Sequence, residues 1–220
     1  MRSGLRAVLA WTLLLAAFAP SPSRAQGQPG DFDFYVLSLS WSPTYCASAG
    51  RRAEGMQCAG PRPFGFVAHG LWPQYERGFP SDCRAGGFPS RAVVDSMLAV
   101  MPSPGLVRHQ WRKHGTCSGL GPEAFFALTR RAYERVVVPE IYRGLDRPLV
   151  TSPADVERAF IAANPGLAPS MIAVDCNRRN LREVRVCMKR DLSFRPCAEV
   201  DRRACRASEL VLPPMRETRE

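Results

Sequence analysis

The sequence predicts an α+β fold: a single domain in which helices pack on an antiparallel central sheet and disulfides staple the chain. Three observations carry that prediction. Apolar residues alternate with a period of two near both ends, over residues 35–41 and 181–189. Helical periods with start signals fill the region between. The 220 residues include eight cysteines, an even number that suits an exported, disulfide-bonded chain. No CxxC pair occurs, as a structural zinc site would need.

The N-terminus reads as a leader. Arg2 and Arg6 precede an apolar run over residues 7–19, and Ser23-Arg24-Ala25 has the small-x-small form of a signal peptidase site. Cleavage after Ala25 is expected, giving a signal peptide over 1–25 and a mature domain over 26–220, with its core at about 32–205. The apolar run is shorter than the ~20 residues of a membrane span, so no span is expected once the leader is removed. The formal charge is +10, and loss of Arg2, Arg6 and Arg24 with the leader leaves +7. That balance favours polyanionic partners, nucleic acid or anionic cell surfaces.

The mature chain opens on a loose polar stretch, residues 26–30. A strand follows, with Tyr35, Leu37, Leu39 and Trp41 forming its apolar face, until Ser42-Pro43 ends it. Residues 46–58 read as a small surface loop. Phe64, Phe66 and Ala68 face one way along a second strand, and Val67 and His69 the other, with His69 leaving the strand's end beside Gly70. Residues 76–89, rich in Gly, Pro and Asp, read as a long loop. Ser90 caps a predicted helix running through Met101, with Val94, Met97, Leu98 and Met101 on one stripe. A short helix follows, anchored by Trp111 and stopped by Gly115. Pro122 starts another, with Phe125, Leu128, Ala132, Tyr133 and Val136 as its apolar face. Ser152 opens a further helix that buries Val156, Ala159, Phe160 and Ala163. Strands are expected over 171–176 and 181–189, the latter with Val184, Val186 and Met188 on one face. The tail beyond Cys205 is expected to be mobile.

The chain has only three histidines, and all fall in two short motifs, Phe66-Val-Ala-His-Gly-Leu-Trp-Pro-Gln74 and Arg108-His-Gln-Trp-Arg-Lys-His-Gly-Thr-Cys117. On a helix, His109 stacks on Lys113 and Gln110 on His114, each pair four apart, so these four side chains share one broad face while Trp111 and Arg112 point elsewhere. The fold must then bring His69 to them. Several imidazoles beside a lysine suit cleavage of a phosphodiester by an internal nucleophile. RNA supplies one, its 2′-hydroxyl. One imidazole accepts that proton, another protonates the departing 5′-oxygen, and the cations stabilise the charge that builds on phosphorus. DNA lacks the nucleophile, and the chemistry needs no metal or other cofactor. Either histidine could begin as the base. A zinc site from His69, His109 and His114 is the competing reading, but neither motif offers a carboxylate, and His109 and His114 lie five apart rather than four. Trp111 is assigned to the core and Trp72 to base stacking. Arg51-Arg52, Arg130-Arg131, Arg178-Arg179 and Arg202-Arg203 read as solvated surface that helps collect RNA.

His69-Gly-Leu-Trp-Pro-Gln74 and His109-Gln-Trp-Arg-Lys-His-Gly-Thr-Cys117 closely resemble the two active-site segments of the ribonuclease T2 family, with the bacterial periplasmic ribonuclease I branch the nearer likeness. Leu39-Ser-Trp-Ser-Pro-Thr-Tyr-Cys46 is similar to the family's first strand, and Glu183-Val-Arg-Val-Cys-Met-Lys-Arg-Asp-Leu192 to its late strand, so the resemblance runs from about residue 32 to 205. It implies an exported endoribonuclease, periplasmic or secreted, that cuts single-stranded RNA with low base specificity through 2′,3′-cyclic phosphates. It implies His69 and His114 as the acid/base pair, His109 and Lys113 on the phosphate, and Trp72, with Gln74 beside it, as substrate-binding residues. It also implies the bridges Cys46–Cys58, Cys83–Cys117, Cys176–Cys205 and Cys187–Cys197. RNA is the expected partner, DNA is not expected to be cut, and a monomer is expected.

Two positions depart from the family's pattern. Gln110 stands where relatives usually carry glutamate, so a catalytic position keeps its shape and loses its charge. Leu106 stands where relatives often carry an aromatic residue near the second base site. The departure at Gln110, with the basic surface, motivates a second hypothesis, a catalytically weakened relative that binds RNA or a cell surface. A third, a metal-dependent phosphodiesterase, would lose its activity in EDTA.

Overall fold

Strand β1 (Phe34–Trp41) runs through the middle of the molecule, and both of its faces are covered. Tyr35, Leu37, Leu39 and Trp41 enter the main apolar core. Phe34 and Val36 meet a smaller cluster with Cys187 and Cys197 on the opposite, outer face. The sequence reading foresaw only the first of these. The structure is a computed structural model and describes residues 27–84 and 86–215; the expected leader over 1–25 lies outside them.

Ser42-Pro43 turns the strand directly into helix α1 (Ser42–Ala49), since Pro43 needs no N–H partner in a first helical turn. The segment 46–58 is thus not a plain loop. It holds most of α1, a 3-10 turn (Gly50–Arg52) and a single-turn helix α2 (Gly55–Cys58). Strand β2 (Phe66–Gln74) pairs antiparallel with β1.

Helix α3 (Arg91–Met97) begins where Ser90 Oγ accepts from the Val93 N–H. It stops four residues before the expected Met101, and the Val100 carbonyl instead accepts from the Ala68 N–H of β2 at 2.8 Å. Helix α4 (Pro104–Lys113) is capped by Ser103, whose Oγ accepts from the Leu106 N–H. Helix α5 (Pro122–Arg135) buries Phe125, Phe126, Thr129 and Ala132. Thr129 enters the core because its hydroxyl donates to the Phe125 carbonyl at 2.9 Å, which leaves no polar atom unpaired. Leu128 and Tyr133, expected on the buried face, are only half-buried.

A short strand β3 (Leu149–Thr151) precedes helix α6 (Pro153–Ala163), which Ser152 caps and which buries Val156 and Phe160. Strands β4 (Ile172–Asn177) and β5 (Asn180–Met188) form a hairpin, and β5 also pairs with β1. Helix α7 (Ala198–Arg202) follows. Residues beyond Cys205 add strand β6 (Leu210–Leu212), with Leu210 and Leu212 in the core, which the sequence reading did not anticipate.

The sheet order is β2-β1-β5-β6-β3, with β4 on β5. All pairs are antiparallel except β5 with β6, which touch in parallel at Asn180 and Val211. The helices' apolar residues share the main core with one sheet face. The bridges are Cys46–Cys58, Cys83–Cys117, Cys176–Cys205 and Cys187–Cys197. Among the described residues, no helix is long and apolar enough to cross a membrane.

Candidate active site

The site is built on the outer sheet face and begins with an irregularity in β2. Ser38 pairs with Gly70 and Leu39 with Ala68, so His69 is an extra residue, a β-bulge. A bulge lets a strand aim two successive side chains without regard to strict alternation. Ala68 keeps its place in the core while His69 turns to the outer side. His69 therefore does not leave the end of a strand as expected, because β2 continues to Gln74.

Helix α4 supplies the opposite wall. Val107 and Trp111 sink into the core, and the Trp111 Nε1–H donates to the Gly87 carbonyl at 3.0 Å. That orientation turns His109, Gln110, Lys113 and His114 towards a cleft of about 620 Å³. His69, Trp72 and Gln74 line the same cleft, so all seven site residues named from sequence meet in one place. Gly115 does not end α4 in a left-handed turn. His114 is the C-cap, and Gly115 enters a 3-10 turn through Cys117. Its value is space, since a Cβ there would lie 2.4 Å from Trp111 Cε3. The Cys83–Cys117 bridge, with the Asp82 N–H on the Lys113 carbonyl at 2.9 Å, ties the end of this segment to the loop after β2.

Trp72 touches histidines of both motifs. Its ring is edge-on to His69 with centroids 5.3 Å apart, and stacked on His114 at 5.4 Å. Its Nε1–H donates to Gln110 Oε1 at 2.8 Å. The guanidinium of Arg185 sits 5.6 Å from its centroid. A ring so engaged positions its neighbours, a duty not foreseen when Trp72 was assigned to base stacking. Gln74 Nε2 donates to the Pro73 carbonyl at 2.9 Å.

The two histidines packed against Trp72 have unlike surroundings. His69 Nδ1 lies 2.6 Å from Glu183 Oε1. Glu183 is only 5% exposed, and burial would raise its pKa, but the bond and charge of His69 and the charge of Arg185 outweigh this and bring it to about 2. His114 has no such partner. It is 7% exposed with Nδ1 buried and unpaired, and burial, followed by the charges of Lys113, His69 and His109, pushes its pKa down to about 3. Burial and the charges of Lys113 and Arg112 also lower His109. Among the described residues, no three His, Cys, Asp or Glu side chains are grouped as a metal ion would require.

Sequence reasoning missed Glu183, Arg185 and Phe79. The signal for the first two was present in Glu183-Val-Arg-Val-Cys187, where charges alternate with core valines on a strand between two others. Phe79 lines the cleft, 48% exposed, its centroid 6.5 Å from His114. It sat in a stretch read only as loop.

A cationic, aromatic-lined cleft with two imidazoles in contrasting environments is suited to acid/base chemistry on an anionic ligand. A sequence model of the ribonuclease T2 family matches residues 32–197. The chain belongs to that family. A ribonuclease of Aeromonas hydrophila is 46% identical over 116 residues, covering 53% of this chain and 52% of that protein. Ribonuclease I of Escherichia coli K12 is 25% identical over 233 residues, covering 84% and 85%. The chain spans about half the length of the Aeromonas protein and of a probable ribonuclease of Haemophilus influenzae. Trichomaglin, described as an S-like ribonuclease, shares the fold with a TM-score of 0.67 at 20% identity, covering 85% of this chain and all of that one. An RNase-related protein from Calystegia sepium superposes with a TM-score of 0.64 at 20% identity, over 83% of this chain and 97% of that one.

Proposed function

We propose that the chain is an exported endoribonuclease that cuts single-stranded RNA with low base specificity, by metal-independent transphosphorylation through 2′,3′-cyclic phosphates. The observation that carries this is the packing of His69 and His114 against one ring, Trp72, in one cleft and in unlike electrostatic settings. Unlike settings are how two similar groups take opposite roles in acid/base catalysis.

His114, neutral and without a counter-charge, is the base that takes the 2′-hydroxyl proton. A group whose pKa is about 3 is a weak base, but the substrate's phosphate charge beside it favours protonation and raises that value in the complex. The 2′-oxygen attacks phosphorus, and the bond from phosphorus to the 5′-oxygen breaks. His69, with the Glu183 carboxylate behind it to support positive charge, delivers a proton to that leaving oxygen. The products are a 2′,3′-cyclic phosphate and a free 5′-hydroxyl. With roles reversed, the same pair hydrolyses the cyclic ester. Lys113 and His109 hold the phosphoryl oxygens, and the amide of Gln110 donates to one of them. The exposed ring of Phe79 offers a platform for a base.

Four disulfides suit an oxidising compartment, which fits export to the periplasm or beyond. Purified protein incubated with RNA in EDTA should yield fragments ending in cyclic phosphate, visible by phosphorus NMR, and should leave single-stranded DNA intact. Intact RNA would sink the reading, and cleavage of DNA would sink the mechanism.

A further inference from the structure

We infer that Glu183 and Arg185 together lock the tautomer of His69, Glu183 as a positioning residue and Arg185 as the group that fixes which oxygen meets the imidazole. The inference rests on the reading of His69 as an acid/base group.

His69 stands on β2 and Glu183 on β5, with β1 between them. Neighbouring strands lie about 4.8 Å apart, so the two side chains must reach over a whole strand. They can, because β1 presents serines there: Ser40 pairs with Glu183, and Ser38 with both Arg185 and Gly70. Larger side chains at these positions would stand in the path.

The Glu183 carboxylate has its two oxygens divided between two partners. Oε2 accepts from Arg185 Nε at 3.0 Å and from Arg185 Nη2 at 2.8 Å. Oε1 is left for His69 Nδ1. An ionised carboxylate only accepts, so Nδ1 carries the proton and Nε2 is the nitrogen offered to the cleft. Arg185 is itself held. Its Nη2 donates to Asp175 Oδ2 at 3.1 Å, and Arg182 Nε donates to the same oxygen at 2.7 Å. Asp175 and Glu183 are directly paired across β4 and β5, an arrangement that like charges disfavour unless cations bridge them. The charged groups facing Glu183 are thus His69 from β2, Asp175 from β4, and Arg185 from its own strand, with Arg182 behind Asp175; β1 presents the uncharged Ser40.

This arrangement makes Glu183→Gln disruptive despite its near-identical shape. Two Arg185 donors demand an acceptor at the Oε2 position, so the amide oxygen turns to Arg185 and the NH2 to His69. A donor then faces Nδ1, which forces the proton to Nε2 and opposes the imidazolium. The variant should stay folded and bind RNA with KM changed less than about 3-fold, while kcat falls roughly 100-fold or more, as for other wrong-tautomer substitutions. Removing the constraint should restore function in part: Glu183→Gln with Arg185→Met lets the amide turn its oxygen to His69, and kcat should recover about 10-fold over the single variant. A packing role predicts the reverse, with the double variant worse than either single one. Nitrogen-15 NMR of the imidazoles reads the tautomer without any assay of activity. Native His69, identified by the loss of its signal in His69→Ala, should be protonated on Nδ1 at pH 8, and in Glu183→Gln on Nε2. Native His69 protonated on Nε2, or a Glu183→Gln variant with native kcat and pH profile, would overturn the lock. A native protein that shows the tautomer but cuts no RNA would overturn the proposed function and leave the lock standing.

Discussion

Trp72 Nε1 donates to Gln110 Oε1 at 2.8 Å, and that single bond decides which way the Gln110 amide faces. An indole N–H can only donate, so the amide oxygen is held at Trp72 and Nε2 is left for the cleft. The position therefore presents a neutral donor to an incoming phosphate. Glutamate there could accept the same indole bond but would set a second carboxylate oxygen in the cleft, beside His109, Lys113 and His114.

Gln110→Glu should therefore raise the pKa values of His114 and His109, because a nearby carboxylate favours their charged forms. The acid limb of the kcat/KM profile, which reports a base that must be neutral, should move up by about one pH unit. KM should rise at pH values where the new group is ionised, since it repels phosphate. An unchanged pH–rate profile would refute this electrostatic account of Gln110.

Gly70→Ala tests how tightly the Trp72–Gln110 bond is enclosed. A Cβ on Gly70 would lie 2.1 Å from Gln110 Oε1 and 2.5 Å from Trp72 Nε1. Both neighbours must move, and the rigid indole is stacked on His114. The variant should lose about 1–3 kcal/mol of stability, in line with overpacking, and lose kcat as well. Thermal melts with steady-state kinetics check both; native values of the two would show that the contact yields freely.

Much of this site was legible in the sequence because its chemistry is local. His109, Gln110 and Lys113 share a helix face by spacing alone, with His114 following as the C-cap, and burial of Trp111 fixes which face that is. Phe66 and Ala68 pointed to the core by alternation. What spacing does not carry is the relation between strands. The bulge at His69 exists only in the register of β2 against β1. The bond from His69 to Glu183 joins residues 114 apart, across a third strand. Likewise, β6 is too short to announce itself by period, and Leu210 and Leu212 become core only where β3 and β5 receive them. At Trp72 the residue type suggested a base platform, but the neighbours that engage its ring come from both motifs and from β5.

Stability should fall in acid, with an early onset. His114 is lowered from an ordinary 6.5 to about 3, so between those values the unfolded chain binds a proton that the native one does not. Stability is full above pH 6.5 and declines as pH falls, by roughly 1.4 kcal/mol per unit from this one group. Glu183, lowered from 4.5 to about 2, adds a loss of the same sign that begins below 4.5. His109 acts in the same direction as His114. Melting temperatures measured from pH 8 to 3 should show this decline, and His114→Asn, which cannot take up a proton, should flatten it between 6.5 and 4.5. A wild-type curve that is level across that interval would contradict the burial of a neutral His114.

Phe79 and Trp72 should separate cleanly in kinetics. Phe79 is 48% exposed and lines the cleft with its ring centroid 6.5 Å from that of His114. Phe79→Ala should leave the melting temperature unchanged and weaken substrate binding by the ~1–3 kcal/mol of one base–aromatic stack, roughly 5- to 150-fold in KM, with kcat little affected. Trp72→Ala removes the ring that both His69 and His114 pack against and the partner of Gln110 Oε1 together. It should cost about 2–3 kcal/mol of stability and reduce kcat more than it raises KM, because the acid/base pair loses its spacing. Paired measurements of kcat, KM and melting temperature on short oligonucleotides decide the matter. A Trp72→Ala enzyme with native kcat and raised KM would return that ring to base stacking and remove it from the positioning of the histidines.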